Sequence, residues 1–104
     1  MDYSEWVSKR ISQLRVQKGV SARDMSLSLG QSESYINKIE NRRTMPSLTG
    51  FFYICEYLGM TPKEFFDPLN EDPAARKDLL QCFDSLTPKQ REHILCVIKD
   101  LAEK

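Results

Sequence analysis

Three glycines, Gly19, Gly30 and Gly59, each follow a stretch whose apolar residues recur at helical spacing. A glycine in that place is where a helix commonly ends in a left-handed residue. This punctuation cuts residues 1–66 into short helices, and no run of strict apolar/polar alternation is long enough to predict a strand. The fold class expected is all-α.

The spacing predicts a first helix from about Ser4 to Lys18, with Val7, Ile11 and Leu14 on one face and Lys9, Ser12 and Gln13 outside. Ser21, with Asp24 three residues on, opens a short second helix that buries Met25 and Leu29 before Gly30 stops it. A third helix is expected from a cap at Ser32 to Glu40, turning Ile36 and Ile39 inward. The fourth, Ser47 to Leu58, is apolar through Leu48, Phe51, Ile54, Cys55 and Leu58 and reads as the central core element; Gly50 inside it costs ~1 kcal/mol relative to Ala, which points either to close packing or to nothing at all. Thr61-Pro62-Lys63-Glu64 is a capping box that opens a fifth, burying Phe65 or Phe66. Pro68 falls in the turn-rich stretch 67–73, read as a linker. A helical hairpin over 74–104 follows, roughly Ala74 to Leu86 and Pro88 to Glu103, its second helix opened by Thr87-Pro88-Lys89-Gln90.

Two short helices around a tight turn at Gly30 form a helix-turn-helix, in which the first helix props the second across the DNA major groove. The wording of residues 10–59 carries this further. Arg10-Ile11-Ser12-Gln13-Leu14-Arg15, then Ser21 to Gly30, then Ser34-Tyr35-Ile36-Asn37-Lys38-Ile39-Glu40-Asn41, then Pro46-Ser47-Leu48 with Leu58-Gly59, resemble the λ-repressor-like, Cro/Xre-type helix-turn-helix family. The resemblance implies a five-helix DNA-binding domain over 1–66. It also implies that Arg15 and Glu40 form a structural pair, and that Glu33, Ser34, Asn37 and Lys38 approach base edges. The helical wheel independently puts those four on one exposed face. Asn pairs bidentately with adenine, Lys reaches guanine acceptors, and a carboxylate accepts from cytosine.

Phosphates are expected at the starts of the second and third helices, Ser21 and Ser32, and at Arg42 and Arg43 beyond the third. Two positions depart from the family pattern: Ala22 stands where glutamine is frequent, and Arg42 where glycine is frequent. Arg23 is expected to reach the phosphate that a glutamine in place of Ala22 would hold. Arg42 is expected to carry left-handed strain in exchange for a phosphate partner.

Charge narrows the mechanism. The chain has no net charge; residues 1–66 carry nine Lys/Arg against seven Asp/Glu, and residues 67–104 carry six against eight. DNA affinity therefore has to come from a local basic patch. Cys55, Cys82 and Cys96 lack C-x-x-C spacing and read as reduced core thiols, and His93, the only histidine, reads as a surface residue. No metal, cofactor or catalytic residue is expected, because no nucleophile–base pair, Gly-rich phosphate loop or carboxylate dyad stands out. The acidic, polar start Met1-Asp2-Tyr3-Ser4-Glu5 lacks the basic and apolar runs of a secretory signal, and no apolar stretch approaches the ~20 residues of a membrane span. A cytoplasmic protein is expected.

The last helix carries a wide apolar stripe, Ile94, Leu95, Val97, Ile98 and Leu101. It is expected to serve a homodimer, since paired half-sites lie roughly 34 Å apart. The expected function is a transcriptional repressor on a pseudo-palindromic double-stranded DNA site. The alternative is a protein-interaction module, such as an antitoxin or regulatory partner, whose main ligand is another protein.

Overall fold

The computed structural model describes residues 2–67 and 69–103; Pro68, read above as part of a connection, lies outside them. Among the described residues all regular structure is helical: α1 (Tyr3–Lys18), α2 (Ala22–Ser28), α3 (Tyr35–Glu40), α4 (Leu48–Leu58), α5 (Pro62–Phe65), α6 (Pro73–Asp84) and α7 (Pro88–Ala102). The all-α expectation holds. The chain divides into two compact units, Met1–Pro73 and Ala74–Lys104.

Local chemistry explains most boundaries. Asp2 accepts from the Glu5 amide to start α1, Ser21 from Asp24 to start α2, and Ser47 from Gly50 to start α4. Thr61 with Glu64 and Thr87 with Gln90 form complete capping boxes, each with proline in the first turn. Each such cap satisfies an amide that the helix itself leaves unpaired.

The core of the first unit is Val7, Ile11 and Leu14 of α1, Met25 of α2, Ile36 and Ile39 of α3, Phe51, Ile54, Cys55 and Leu58 of α4, and Phe65 of α5. Of the two candidate phenylalanines, Phe65 is the buried one. Trp6 and Phe51 meet it edge-on, with ring centroids 6.0 and 4.9 Å away, while the exposed Phe66 stacks on Trp6 at 5.7 Å. Leu48 and Leu29 differ from expectation. Leu48 is 69% exposed, because it sits in the first turn at the edge of the face that Phe51, Ile54, Cys55 and Leu58 bury, and Leu29 caps α2 half-buried. Tyr53 is exposed, and Tyr57 is half-buried beneath the Lys18 ammonium.

The stretch 67–73 does not behave as a free linker. Arg10 is buried on α1, and its guanidinium donates to the carbonyls of Phe65 at 2.8 Å, Glu64 at 3.0 Å and Asn70 at 2.7 Å. Gln13 and Gln17 both donate to the Glu71 carbonyl, at 3.1 and 2.8 Å. Asn70 and Glu71 are thereby tied to α1.

In the second unit α6 ends at Asp84, two residues before the expected Leu86, and Arg91 of α7 donates to the Phe83 and Asp84 carbonyls at that end. Two helices can bury only the seam between them, so Cys82 and Cys96, expected in a core, are exposed. His93 is exposed as expected. Cys55 is buried, and that burial pushes its thiol up to about 11.

Candidate nucleic-acid interface

α2 and α3 meet through a turn at Gly30, whose φ of +73° suits a residue without a Cβ. The Gln31 amide closes the turn on the Ser26 carbonyl at 3.0 Å. Ser26 is fully buried and fastens the two helices: its Oγ donates to the Ala22 carbonyl at 2.7 Å and accepts from the Ile36 amide at 2.9 Å.

That bond corrects the expected start of α3. Ser32 forms no cap; its carbonyl accepts from the Tyr35 amide at 3.1 Å, Ser34 occupies the cap position without a side-chain bond, and the helix begins at Tyr35. One of the helix's orphan amides is satisfied from α2 by Ser26, which removes the need for a serine cap of its own. Residues 32–34 form the turn that leads into it.

The rest of α3 is clamped to α1. Ser8 Oγ, buried, donates to the Ile39 carbonyl at 2.8 Å. Arg15 grips Glu40 with two parallel bonds, Nε to Oε2 at 2.7 Å and Nη2 to Oε1 at 2.9 Å, while Nη1 donates to the Val20 carbonyl at 3.0 Å. The Arg15 and Glu40 side chains are only 18% and 12% exposed, and the bond to Glu40 raises the pKa of Arg15 further. On the α4 side, Tyr35 lies so close to Gly50 that a Cβ there would stand 2.9 Å from its hydroxyl. Burial raises the Tyr35 phenol above its ordinary value.

What this clamp leaves outside is a polar face. Glu33, Asn37 and Lys38 are exposed and Ser34 is half-buried. Glu33, Ser34 and Asn37 border a shallow recess of about 360 Å³ with Ala22 and Arg23 of α2. Arg23 Nε lies 3.1 Å from Glu33 Oε2, and Asn37 Oδ1 accepts from Asn41 Nδ2 at 2.8 Å. Ser21 and Ser32 are exposed, with the Ser21 hydroxyl oxygen accepting from Asp24.

Beyond α3, Arg42 takes the left-handed conformation, φ +59°, the one non-glycine to do so among the described residues. Its Nη1 sits 3.5 Å from Asp2 Oδ2 and 3.6 Å from Glu5 Oε2. The Glu5 carboxyl is held below its ordinary value first by its bond to Lys9, then by the charges of Lys9 and Arg42. Arg43 and Lys38 have no ion-pair partner among the described residues. Residue-type patterns did not reveal Ser8, Arg10 and Ser26 as fasteners. The faint signal was a polar residue at a core-facing position of an amphipathic helix.

A short helix fixed at its start by α2 and along its length by α1, with hydrogen-bonding side chains left outside, defines a helix-turn-helix DNA-binding domain. The sequence profile of the helix-turn-helix domain matches residues 8–71, and the chain belongs to that family, in its Xre-like form. The matched stretch includes Asp67, Asn70 and Glu71, whose carbonyls accept from Arg10, Gln13 and Gln17 of α1. An uncharacterized HTH-type transcriptional regulator, y4dJ, of Sinorhizobium fredii (strain NBRC 101917 / NGR234) is 26% identical over 73 residues, 70% of this chain and 95% of that protein. No solved structure matches the chain significantly. Among the described residues no helix is long and apolar enough to cross a membrane, and no group of three or more His, Cys, Asp or Glu side chains is placed to hold a metal ion.

Proposed function

We propose that the protein is a sequence-specific transcriptional repressor that lays α3 and the turn before it in the major groove of double-stranded DNA, in the cytoplasm and without a cofactor. The carrying observation is the division of labour around α3. Ile36, Ile39 and Glu40 are locked inward, and Ser34, Asn37, Lys38 and Glu33 are held on the opposite side. Preorganised side chains lose less entropy on binding. Asn37 suits adenine N6 and N7, Lys38 suits guanine acceptors, and Glu33 suits cytosine N4. Ser21, Ser32, Arg42 and Arg43 contact phosphates that set the register.

The second unit supports a homodimer on a pseudo-palindromic site. Ile94, Leu95, Val97, Ile98 and Leu101 are between 43% and 73% exposed, and Leu79 and Leu80 of α6 are exposed as well. Apolar side chains almost alone line a recess of about 410 Å³ there. Such a face costs solubility unless covered, and a two-fold partner covers two copies at once.

The test is titration of labelled random duplex and of a site selected from random DNA, at several salt concentrations. Asn37→Ala and Lys38→Ala should each change which bases are preferred, by ~1 to 3 kcal/mol for each bidentate pair removed. Arg43→Ala should lower the salt slope by about one. No preference among sequences would refute the reading. Ile98→Asp in the full chain should yield a folded monomer by sedimentation with weakened site binding; an intact dimer would place the interface elsewhere. A wild-type chain that stays monomeric would favour a different protein as the ligand of this stripe.

A further inference from the structure

On the exposed side of the helix-turn-helix, one ion pair joins α2 to the turn before α3: Arg23 Nε to Glu33 Oε2 at 3.1 Å, with side chains 68% and 67% exposed. So exposed a pair adds little stability. Its geometry is more informative. Only Nε and Oε2 are engaged, and among the described residues neither terminal nitrogen of Arg23 nor Oε1 of Glu33 has a hydrogen-bond partner. Both residues border the same recess as Ser34 and Asn37, and the short side chain of Ala22 leaves it open.

We propose that Arg23 and Glu33 act as one unit that reads a single G·C base pair, with the terminal nitrogens of Arg23 donating to guanine N7 and O6 and Glu33 Oε1 accepting from the cytosine N4 amino group. The inference rests on the DNA reading above. Across the major groove a G·C pair shows two acceptors and then a donor, and an A·T pair shows an acceptor, a donor and an acceptor. The Arg23–Glu33 unit offers two donors and then an acceptor, which complements G·C. Against A·T it would set a guanidinium donor on the adenine amino group and a carboxylate on thymine O4. The pairing also resolves the presence of an acid beside phosphates, because Arg23 neutralises Glu33 before DNA arrives. Arg23, expected on a phosphate from the sequence, moves to the base edges.

The experiment is selection of sites from random duplex by the full-length protein, repeated with Arg23→Lys, Arg23→Ala and Glu33→Gln. Circular dichroism of each variant checks that these exposed changes leave the fold intact. Wild type should fix a G·C pair at one position of each half-site. Arg23→Ala should relax that position by about 5- to 150-fold, the range equivalent to one bidentate contact, and Arg23→Lys, which reaches the guanine acceptors without the planar fork, by less. Arg23→Lys should keep the wild-type salt slope, since it keeps the charge and loses only the fork. Glu33→Gln should relax the same position and no other. If Arg23→Ala keeps the base preference and lowers only the salt slope, Arg23 is a phosphate contact and the proposal is overturned. A wild-type site whose preferences none of the variants alters overturns the proposal and leaves the DNA reading standing. A wild-type chain that selects no site overturns both.

Discussion

Gly50→Ala tests how tightly α3 is held against α4. An alanine inside a helix is ordinarily favoured over glycine by ~1 kcal/mol. Here the new Cβ would stand 2.9 Å from Tyr35 Oη and 3.1 Å from Ser47 Oγ, so a half-buried ring at the first residue of α3 has to move. Overpacking of that kind costs ~1 to 3 kcal/mol. The net expected is a loss of up to ~2 kcal/mol, seen as a lower urea midpoint at unchanged m-value. Tyr35→Phe removes the clashing oxygen. In that background the nearest neighbours are Ser47 Oγ at 3.1 Å and Pro46 Cβ at 3.7 Å, and Gly50→Ala should become neutral or stabilising by up to ~1 kcal/mol. The double-mutant cycle should therefore show a coupling of ~1 to 3 kcal/mol. If Gly50→Ala stabilises the wild-type protein by ~1 kcal/mol and the coupling stays below ~0.5 kcal/mol, the level at which independent sites add, the close approach does not constrain α3.

Four further outcomes follow from the same structure. Glu40→Ala should cost ~3 to 5 kcal/mol by stranding a mostly buried Arg15, while the double change of Arg15 and Glu40 to Met should cost far less, both read by denaturation. Arg42→Gly should leave stability unchanged or raise it by up to ~1 kcal/mol, as relief of the left-handed arginine outweighs the added freedom of glycine when unfolded. It should also remove about one unit of salt slope from DNA binding; a stability loss above ~1 kcal/mol would show that the pairing with Asp2 and Glu5 matters more than the strain. In thiol labelling, Cys96 should react at once and Cys55 only on unfolding, with Cys82 protected as protein concentration rises if the hairpin face dimerises. Because the Cys55 thiol is raised from 9.0 to about 11, the unfolded chain ionises first and stability should fall as pH climbs through that window, less steeply in Cys55→Ala.

What the sequence revealed was whatever residue type and spacing encode. Helix starts at Ser21, Ser47, Thr61 and Thr87 follow from caps, and the inward set Ile11, Leu14, Met25, Ile36, Ile39 and Ile54 follows from periodicity. The shifted start of α3 has a physical cause: residue type suggests a local cap at Ser32, whereas the amide of Ile36 is satisfied from ten residues back by Ser26. Arg10 escaped for a related reason. Its acceptors are backbone carbonyls of residues 64, 65 and 70, which any residue supplies, so no pattern marks them. The exposure of Cys82 and Cys96 was illegible because amphipathic spacing says which face is apolar, not how much protein is there to cover it. The same ambiguity applies to the proposed site: a solvated polar face and a base-reading face have the same periodicity, so spacing alone does not separate them.

A chain without net charge raises the question of how it would hold DNA, and the ion pairs bear on the answer. Of the cations near α3, Lys38 and Arg43 have no ion-pair partner among the described residues, whereas Arg23 is joined to Glu33 and Arg42 to Asp2 and Glu5. If Arg23 reads bases and Arg42 exchanges its exposed carboxylates for a phosphate, each domain neutralises about two or three phosphates, and a dimer about five. The salt slope should then be near −4 to −5, at ~0.9 per phosphate, so affinity falls by a factor of several hundred between 50 and 200 mM salt. That is a modest electrostatic hold. Discrimination would then rest on the base contacts and on doubling the site through the second subunit, and Ile98→Asp should roughly halve the slope as well as weaken binding. A slope steeper than about −8 would mean that cations away from this face carry the contact, and α3 would lose its central place.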